Sequence, residues 1–371
     1  MESITALPVL FLEGEHGSMG VTYGKQMREM ISKNLEDYLR RFRDVVGLTN
    51  AEVLSIGEAF RSLTYGYNAG IGEMLDGIGE GAGHPAAHIF ALNARTEILY
   101  GARTRGEEGC TSIAALPEVT ETRHMLLGQN WDWHPEQCDV TLLLATKDES
   151  GFTVLTLTEA GMVAKSGMNS AGLGICANLL VCSADGGLDG VPYHVLLRGV
   201  LESRSMADAI RAAVDPPRCS SGNFLIADGE SEAVDIEACP NDFGYLLPDA
   251  GVLIHSNHFL SSLPVKDLKK AHSALTILRP SRARRLLNPH IASRTVSIQA
   301  IQDVFRDHYS YPNGICRHVD ERDPENERVC SAFSTVMDLT DRKFLIAQGP
   351  PCEHEYESIS LQDLFMANSQ T

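Results

Sequence analysis

Apolar residues recur at helical intervals through the first hundred positions, then give way near residue 110 to short runs with strand character. A helix is expected from 20 to 31, continuing through 34–42, with two or three more between 50 and 99 and loop signals at 81–85. Downstream, the stretches 111–116, 125–129, 140–146, 153–159, 162–168 and 172–180 are rich in Val, Leu, Ile and Thr. They are punctuated by Gly, Asp and Asn, the pattern of strands. Helical periodicity returns at 192–202 and 205–213. Strands resume at 223–227, 232–237 and 251–255, followed by helices at 274–287 and 297–307. A final pair of strands, 332–339 and 343–348, is joined by the turn Thr340-Asp341-Arg342. Links between successive strands are mostly too short for parallel crossovers, so antiparallel sheets in an α+β fold are expected.

Composition narrows the class without naming an activity. Hydrophobic residues make up 43% and charged residues 22% of the 371 positions, the balance of a globular protein with a sizeable core. The apolar stretch near the start lacks a basic lead and is broken by Pro8 and Glu13, unlike a secretory signal. No apolar run has the length of a membrane span. A net charge of −18 disfavours nucleic-acid partners. Arg279, Arg282, Arg284 and Arg285 form one basic cluster on an expected helix, read as a solvated or carboxylate-paired face. Nine cysteines fall without pairing rhythm, CxxC or zinc-finger spacing, so no disulfide framework, metal or other cofactor is expected, and the compartment is read as cytoplasmic.

The Gly109–Cys110 pair stands where helical character yields to a strand. Gly109, lacking a Cβ, lets a thiol approach the preceding carbonyl, as an N-to-S acyl shift requires. If that peptide bond breaks, Cys110 carries both the thiol and an α-amine with a pKa of roughly 7.7–8.0, suited to a general base. A lone Gly–Cys dipeptide is common and unspecific. Its neighbours make it informative: Glu108-Gly109-Cys110-Thr111-Ser112, Gly128-Gln129-Asn130-Trp131-Asp132-Trp133, Thr158-Glu159-Ala160-Gly161, and Gly167-Met168-Asn169-Ser170-Ala171-Gly172. Gly190-Val191-Pro192, His255-Ser256-Asn257-His258, Tyr311-Pro312 and Ile315-Cys316-Arg317 follow in order.

These blocks resemble the acyl-coenzyme A:6-aminopenicillanic acid acyltransferase family, N-terminal-nucleophile (Ntn) hydrolases of the peptidase C45 type. The family usually has Asp before Gly-Cys, where this chain has Glu108. The resemblance implies a four-layer αββα sandwich with the nucleophile on a central strand. It implies self-cleavage between Gly109 and Cys110 into segments 1–109 and 110–371, which together form one domain.

It also implies roles. Asp132, expected on a turn after its strand, would lie near the Cys110 amine and stabilise its ammonium form. Asn257, at the end of an apolar strand, offers a side-chain amide for a tetrahedral oxyanion. Arg317 would lower the thiol pKa and hold Asp132 bidentately. Asn130 and Trp131 read as architectural, and His255 and His258 as scaffold rather than metal ligands.

Three functions remain open on the sequence. The first is hydrolysis of a small-molecule amide through a Cys110 thioester. The second is acyl transfer from acyl-coenzyme A, a polyanion that the acidic chain disfavours unless the arginine cluster receives it. The third is a non-catalytic binding protein on the same fold.

Overall fold

The computed structural model describes residues 7–101, 109–270 and 275–368, so Glu108 and the expected helix start at Ala274 lie outside the described residues. The chain opens with strand β1 (Val9–Glu13) and six helices: α1 (His16–Gln26), α2 (Arg28–Arg41), α3 (Asn50–Tyr67), α4 (Ala69–Ala82), α5 (Ala86–Asn93) and α6 (Arg95–Gly101). Strands β2 (Gly109–Ala115), β3 (Leu126–Trp133), β4 (Thr141–Lys147), β5 (Thr153–Glu159), β6 (Gly167–Asn169) and β7 (Leu173–Leu179) follow. Helices α7 (Tyr193–Leu201) and α8 (Met206–Val214) precede β8 (Gly222–Asp228), β9 (Ala233–Cys239), β10 (Asp242–Leu246) and β11 (Val252–His255). Helices α9 (Leu275–Ser293) and α10 (Ile298–Phe305), strands β12 (Cys330–Asp338), β13 (Lys343–Gln348) and β14 (Glu357–Ser360), and helix α11 (Leu361–Asn368) complete the order.

Two sheets result. One has eight strands in the order β1-β4-β5-β6-β7-β8-β9-β10, the other six in the order β11-β2-β3-β12-β13-β14. The apolar strands are buried on both faces. In β4, Leu142 and Leu144 pack toward the helices α1, α4 and α7, while Leu143 and Ala145 face the second sheet. In β2, Ile113 and Ala115 pack under α9 and α10, while Cys110 and Ala114 face the first sheet. Strands covered on both sides read as continuous apolar runs. The α+β expectation and its four layers, helices–sheet–sheet–helices, are met.

Four details differ from the sequence reading. Residues 9–13 form β1 within the region read as helical, and β1 pairs parallel with β4, unlike the other pairings between the named strands, which are antiparallel. A parallel neighbour is available because six helices separate the two strands in sequence. The expected strand 162–168 shrinks to β6, because the chain turns at 159–162, where the Met162 N–H bonds the Glu159 carbonyl, and only residues 167–169 pair with β5. Strands β10 and β14 are additions to the expected set; both are short sheet-edge strands with broken alternation. Asp132 lies inside β3, opposite Gly109 and Ser331, rather than on a turn.

Close packing of α1 on α4 depends on glycine: a Cβ on Gly20 would lie 2.2 Å from the Met74 carbonyl oxygen. Where α6 meets the first sheet, Glu159 is fully buried between two cations, Arg95 at 3.3 Å and Lys165 at 3.1 Å. The Tyr38 hydroxyl donates to it at 2.6 Å and itself accepts from the Trp133 indole at 3.2 Å. The Lys165 ammonium also sits 3.7 Å from the Trp131 ring centre. Removing this carboxylate takes a shared charge partner from two buried cations, so Glu159→Ala is expected to cost about 3–5 kcal/mol, read as a lowered urea midpoint. An unchanged midpoint would contradict this account of the network.

Candidate active site around Cys110

Register sets the site. Antiparallel pairing of β2 with β3 places Gly109 opposite Asp132 and Cys110 opposite Trp131, and pairing of β3 with β12 places Ser331 beside Asp132. Strand β11 borders β2 on its other edge and ends at His255, so Asn257 arrives next to Cys110 just beyond the strand.

The Cys110 backbone nitrogen donates to Asn257 Oδ1 at 2.7 Å. Arg279 donates to the same oxygen at 2.9 Å, to the Cys110 carbonyl at 2.6 Å and to Thr111 Oγ1 at 3.0 Å. Two donors on one atom fix it as the oxygen of the Asn257 amide. Its nitrogen donates to the Leu179 carbonyl at 3.0 Å, and its own backbone N–H is held by Thr276 Oγ1 at 2.8 Å. The side chain read as an oxyanion donor thus presents its oxygen to the Cys110 nitrogen and commits one of its two amide N–H donors to β7.

Asp132 Oδ1 accepts from Ser331 Oγ at 2.7 Å, and that hydroxyl accepts from the Arg317 backbone N–H at 2.9 Å. Arg279 reaches the other carboxylate oxygen at 3.9 Å. A Cβ on residue 109 would lie 2.6 Å from Asp132 Oδ2, so glycine is what lets the carboxylate press against the chain just before Cys110. The structure therefore gathers Gly109, Cys110, Asp132 and Asn257 directly. Arg317, half-buried, joins through its main chain, and its charge also bears on Arg279.

Arg279 is the residue that sequence reasoning misplaced. Arg282 pairs with Asp307 and Arg284 with Asp249, and Arg285 is exposed, all as a solvated, carboxylate-paired face requires. Arg279 instead is 6% exposed and points into the site. Burial lowers its pKa, while the charges of Asp132 and Cys110 oppose that shift. The signal was periodic: the buried stripe of α9 is Thr276, Arg279, Ala283 and Leu287, which puts Arg279 on the core-facing side. Ser331 carried no signal of its own.

Neighbouring groups are settled by their surroundings. Asn130 donates to the Phe305 and Ile315 carbonyls at 2.9 and 3.0 Å, and Trp131 stacks on Phe333. Burial would lower the pKa of His255, but Asp235 and Glu237 outweigh it and raise the net value. His255 Nε2 lies 2.7 Å from the Glu237 carboxylate. Burial pulls His258 down to about 4, so that ring is neutral at pH 7. Cys176 faces Cys110 from β7, and burial, reinforced by Cys110, pushes its thiol well up, which keeps it protonated.

Residues 119–347 match the family model for acyl-coenzyme A:6-aminopenicillanic acid acyl-transferase. The chain belongs to this family. The matched stretch begins downstream of Cys110 and contains Asp132, Asn257, Arg279, Arg317 and Ser331. A curated member from Emericella nidulans, the acyl-coenzyme A:6-aminopenicillanic-acid-acyltransferase 40 kDa form, is 29% identical over 287 residues, 75% of each chain. Among solved structures, a mutant of conjugated bile acid hydrolase from Clostridium perfringens matches with a TM-score of 0.48 and 13% identity, over 68% of this chain and 93% of that one. Penicillin V acylase from Agrobacterium tumefaciens matches with a TM-score of 0.44 and 13% identity, over 64% and 83%. No helix among the described residues is long and apolar enough to cross a membrane.

Proposed function

We propose that this family member is a self-processing amidohydrolase that cleaves a small-molecule amide, an N-acylated amine or amino acid, through a thioester on Cys110. The observation that carries the reading is the convergence of Asn257 and Arg279 on the Cys110 main chain. An ordinary core cysteine has no need of a buried guanidinium on its carbonyl and a side-chain amide oxygen on its nitrogen.

In self-processing, Cys110 Sγ attacks the Gly109 carbonyl carbon and the C–N bond breaks, leaving the acyl group on sulfur. Water then cleaves that thioester, releasing the Gly109 carboxylate and a free thiol, and the Cys110 nitrogen is now an α-amine. Segments 1–109 and 110–371 stay together, because β1 is woven into the larger sheet beside β4. In turnover the amine takes the thiol proton and the sulfur attacks the substrate carbonyl. The amine then delivers that proton to the departing nitrogen, and water releases the acid. Asn257 Oδ1 accepts an amine N–H and so orients the base.

Arg279 tunes that base. A fixed cation beside the amine makes the ammonium form costly, which holds the amine neutral and able to accept a proton near pH 7. Asp132, tied to Arg279 and Ser331, limits this effect and keeps the two buried charges compensated.

The family model and the Emericella nidulans relative, both bearing the name of an acyltransferase, favour a second reading in which acyl-coenzyme A supplies the acyl group and an amine replaces water. A panel of N-acylated amino acids and amines, scored for released amine, is set beside acyl-coenzyme A plus amine acceptors, scored for released thiol. Amide cleavage without coenzyme A is the expected result. Acceptor-dependent thiol release alone supports the second reading. Inactivity throughout, with Cys110 inert to a mild alkylator, would leave a non-catalytic binding protein.

A further inference from the structure

Just after α10, the loop that carries Arg317 meets the connection between β13 and β14. Four side chains from these two segments turn toward one point: His308, Cys316, His318 and Cys352, whose ligating atoms all lie within 4.8 Å of one another. The Cys316 and Cys352 sulfurs are 3.6 Å apart. His318 Nε2 lies 3.6 Å from Cys316 Sγ, 3.3 Å from Cys352 Sγ and 3.1 Å from His308 Nε2.

We propose that these four residues form a structural zinc site. A tetrahedral Zn2+ with Zn–S of about 2.3 Å and Zn–N of about 2.0–2.1 Å requires ligand–ligand edges of about 3.8 Å for S–S, 3.6 Å for S–N and 3.3–3.4 Å for N–N. The observed separations fall within a few tenths of an ångström of these edges. Three of these contacts converge on a single atom, His318 Nε2. His318 Nδ1 lies 3.4 Å from the Glu353 carboxylate. A proton held there leaves Nε2 as a lone pair facing two sulfurs and a second imidazole nitrogen. A central cation satisfies all four atoms at once. Two thiolates and two imidazoles suit Zn2+, and four protein ligands leave no open position, the mark of a structural rather than a catalytic site.

The expectation of no metal, drawn from sequence spacing, is thereby revised. Cys316 and His318 are separated by a single residue, His308 precedes them by a loop, and Cys352 comes from beyond two strands, so no zinc-finger interval arises. Such a site clamps the segment 308–318 to the β13–β14 connection and fixes Arg317, which lies between two ligands and whose main chain holds Ser331 against Asp132.

The test uses the full-length protein, purified under reducing conditions and dialysed, with zinc measured by inductively coupled plasma mass spectrometry. Wild type is expected to retain one zinc per chain, and Cys352→Ser, at an exposed position, to lose most of it. Zinc removed by a chelator and replaced by Co2+ is expected to give the visible bands of tetrahedral cobalt and a thiolate charge-transfer band, with wild-type protein alone sufficing for this readout. Zinc no higher in wild type than in Cys352→Ser would overturn the proposal. So would a weak octahedral cobalt spectrum, or a Cys316–Cys352 disulfide in the freshly purified chain. None of these readouts depends on turnover of any substrate.

Discussion

Cys110→Ala is expected to leave one uncut 371-residue polypeptide and to lower turnover by about 10^5-fold or more, the scale on which loss of a nucleophile falls. Both effects come from the same atom, because the sulfur that would open its own peptide bond later attacks the substrate. Cys110 is buried and packs in the space between the two sheets, so trimming it to alanine removes one sulfur without exposing core, and the fold should persist. Cys110→Ser separates the two roles. A hydroxyl is a weaker nucleophile than a thiol, so slowed processing with poor turnover is expected, followed by gel electrophoresis and by rates on the best substrate of the panel. Alanine protein that still processes itself, or turns over at the wild-type rate, would remove Cys110 from the chemistry.

The second large effect concerns Arg279 and pH. Arg279 and the Cys110 nitrogen share the Asn257 oxygen, so the guanidinium is a near neighbour of the proposed amine. A like charge at such range lowers an amine pKa by about 1–3 units below its usual 7.7–8.0. Removing it as Arg279→Gln takes away the repulsion and leaves Asp132 less compensated, and both changes favour ammonium. The pKa then rises. Because the neutral amine is the active base, the acid limb of kcat/KM against pH is expected to move to higher pH by about 1–2 units. At neutral pH the rate falls accordingly, and loss of the bonds to the Cys110 carbonyl and Asn257 lowers it further. Arg279→Lys keeps the charge while losing the forked contacts, so its acid limb should stay near the wild-type position even where its rate is low. A merely structural arginine would lower activity in both variants without moving the limb in either.

How much of this was legible follows from the physics of each element. Strand β5 was readable residue for residue, because 153–159 is an apolar run buried on both faces and bounded by turn formers. Helices α7 and α8 announced themselves by periodicity and by Pro192 and Ser205 at their starts. Local pattern carries no information about pairing between distant segments, which is why β1, parallel to β4, lay hidden in a helical stretch. The edge strands β10 and β14 lack a second covered face and so lack the apolar signal. At the site, Cys110, Asp132 and Asn257 came from motif blocks, but their contacts were set by register. Asp132 faces Gly109 because β2 and β3 pair as they do, and Asn257 turns its oxygen inward because one of its amide N–H groups is held by the Leu179 carbonyl. Arg279 was masked by the company of three surface arginines, and the Cys/His grouping by the distance in sequence between its parts.

The account stands on the Cys110 nitrogen becoming a free amine beside its own thiol. Intact mass spectrometry of freshly purified, active protein, before and after treatment with a cyanobenzothiazole that condenses only with an N-terminal cysteine, tests this directly. The predicted result is two fragments, 1–109 and 110–371, with the label carried by the second at its N-terminus. A fully active preparation that consists of the unbroken chain and takes up no label would contradict it.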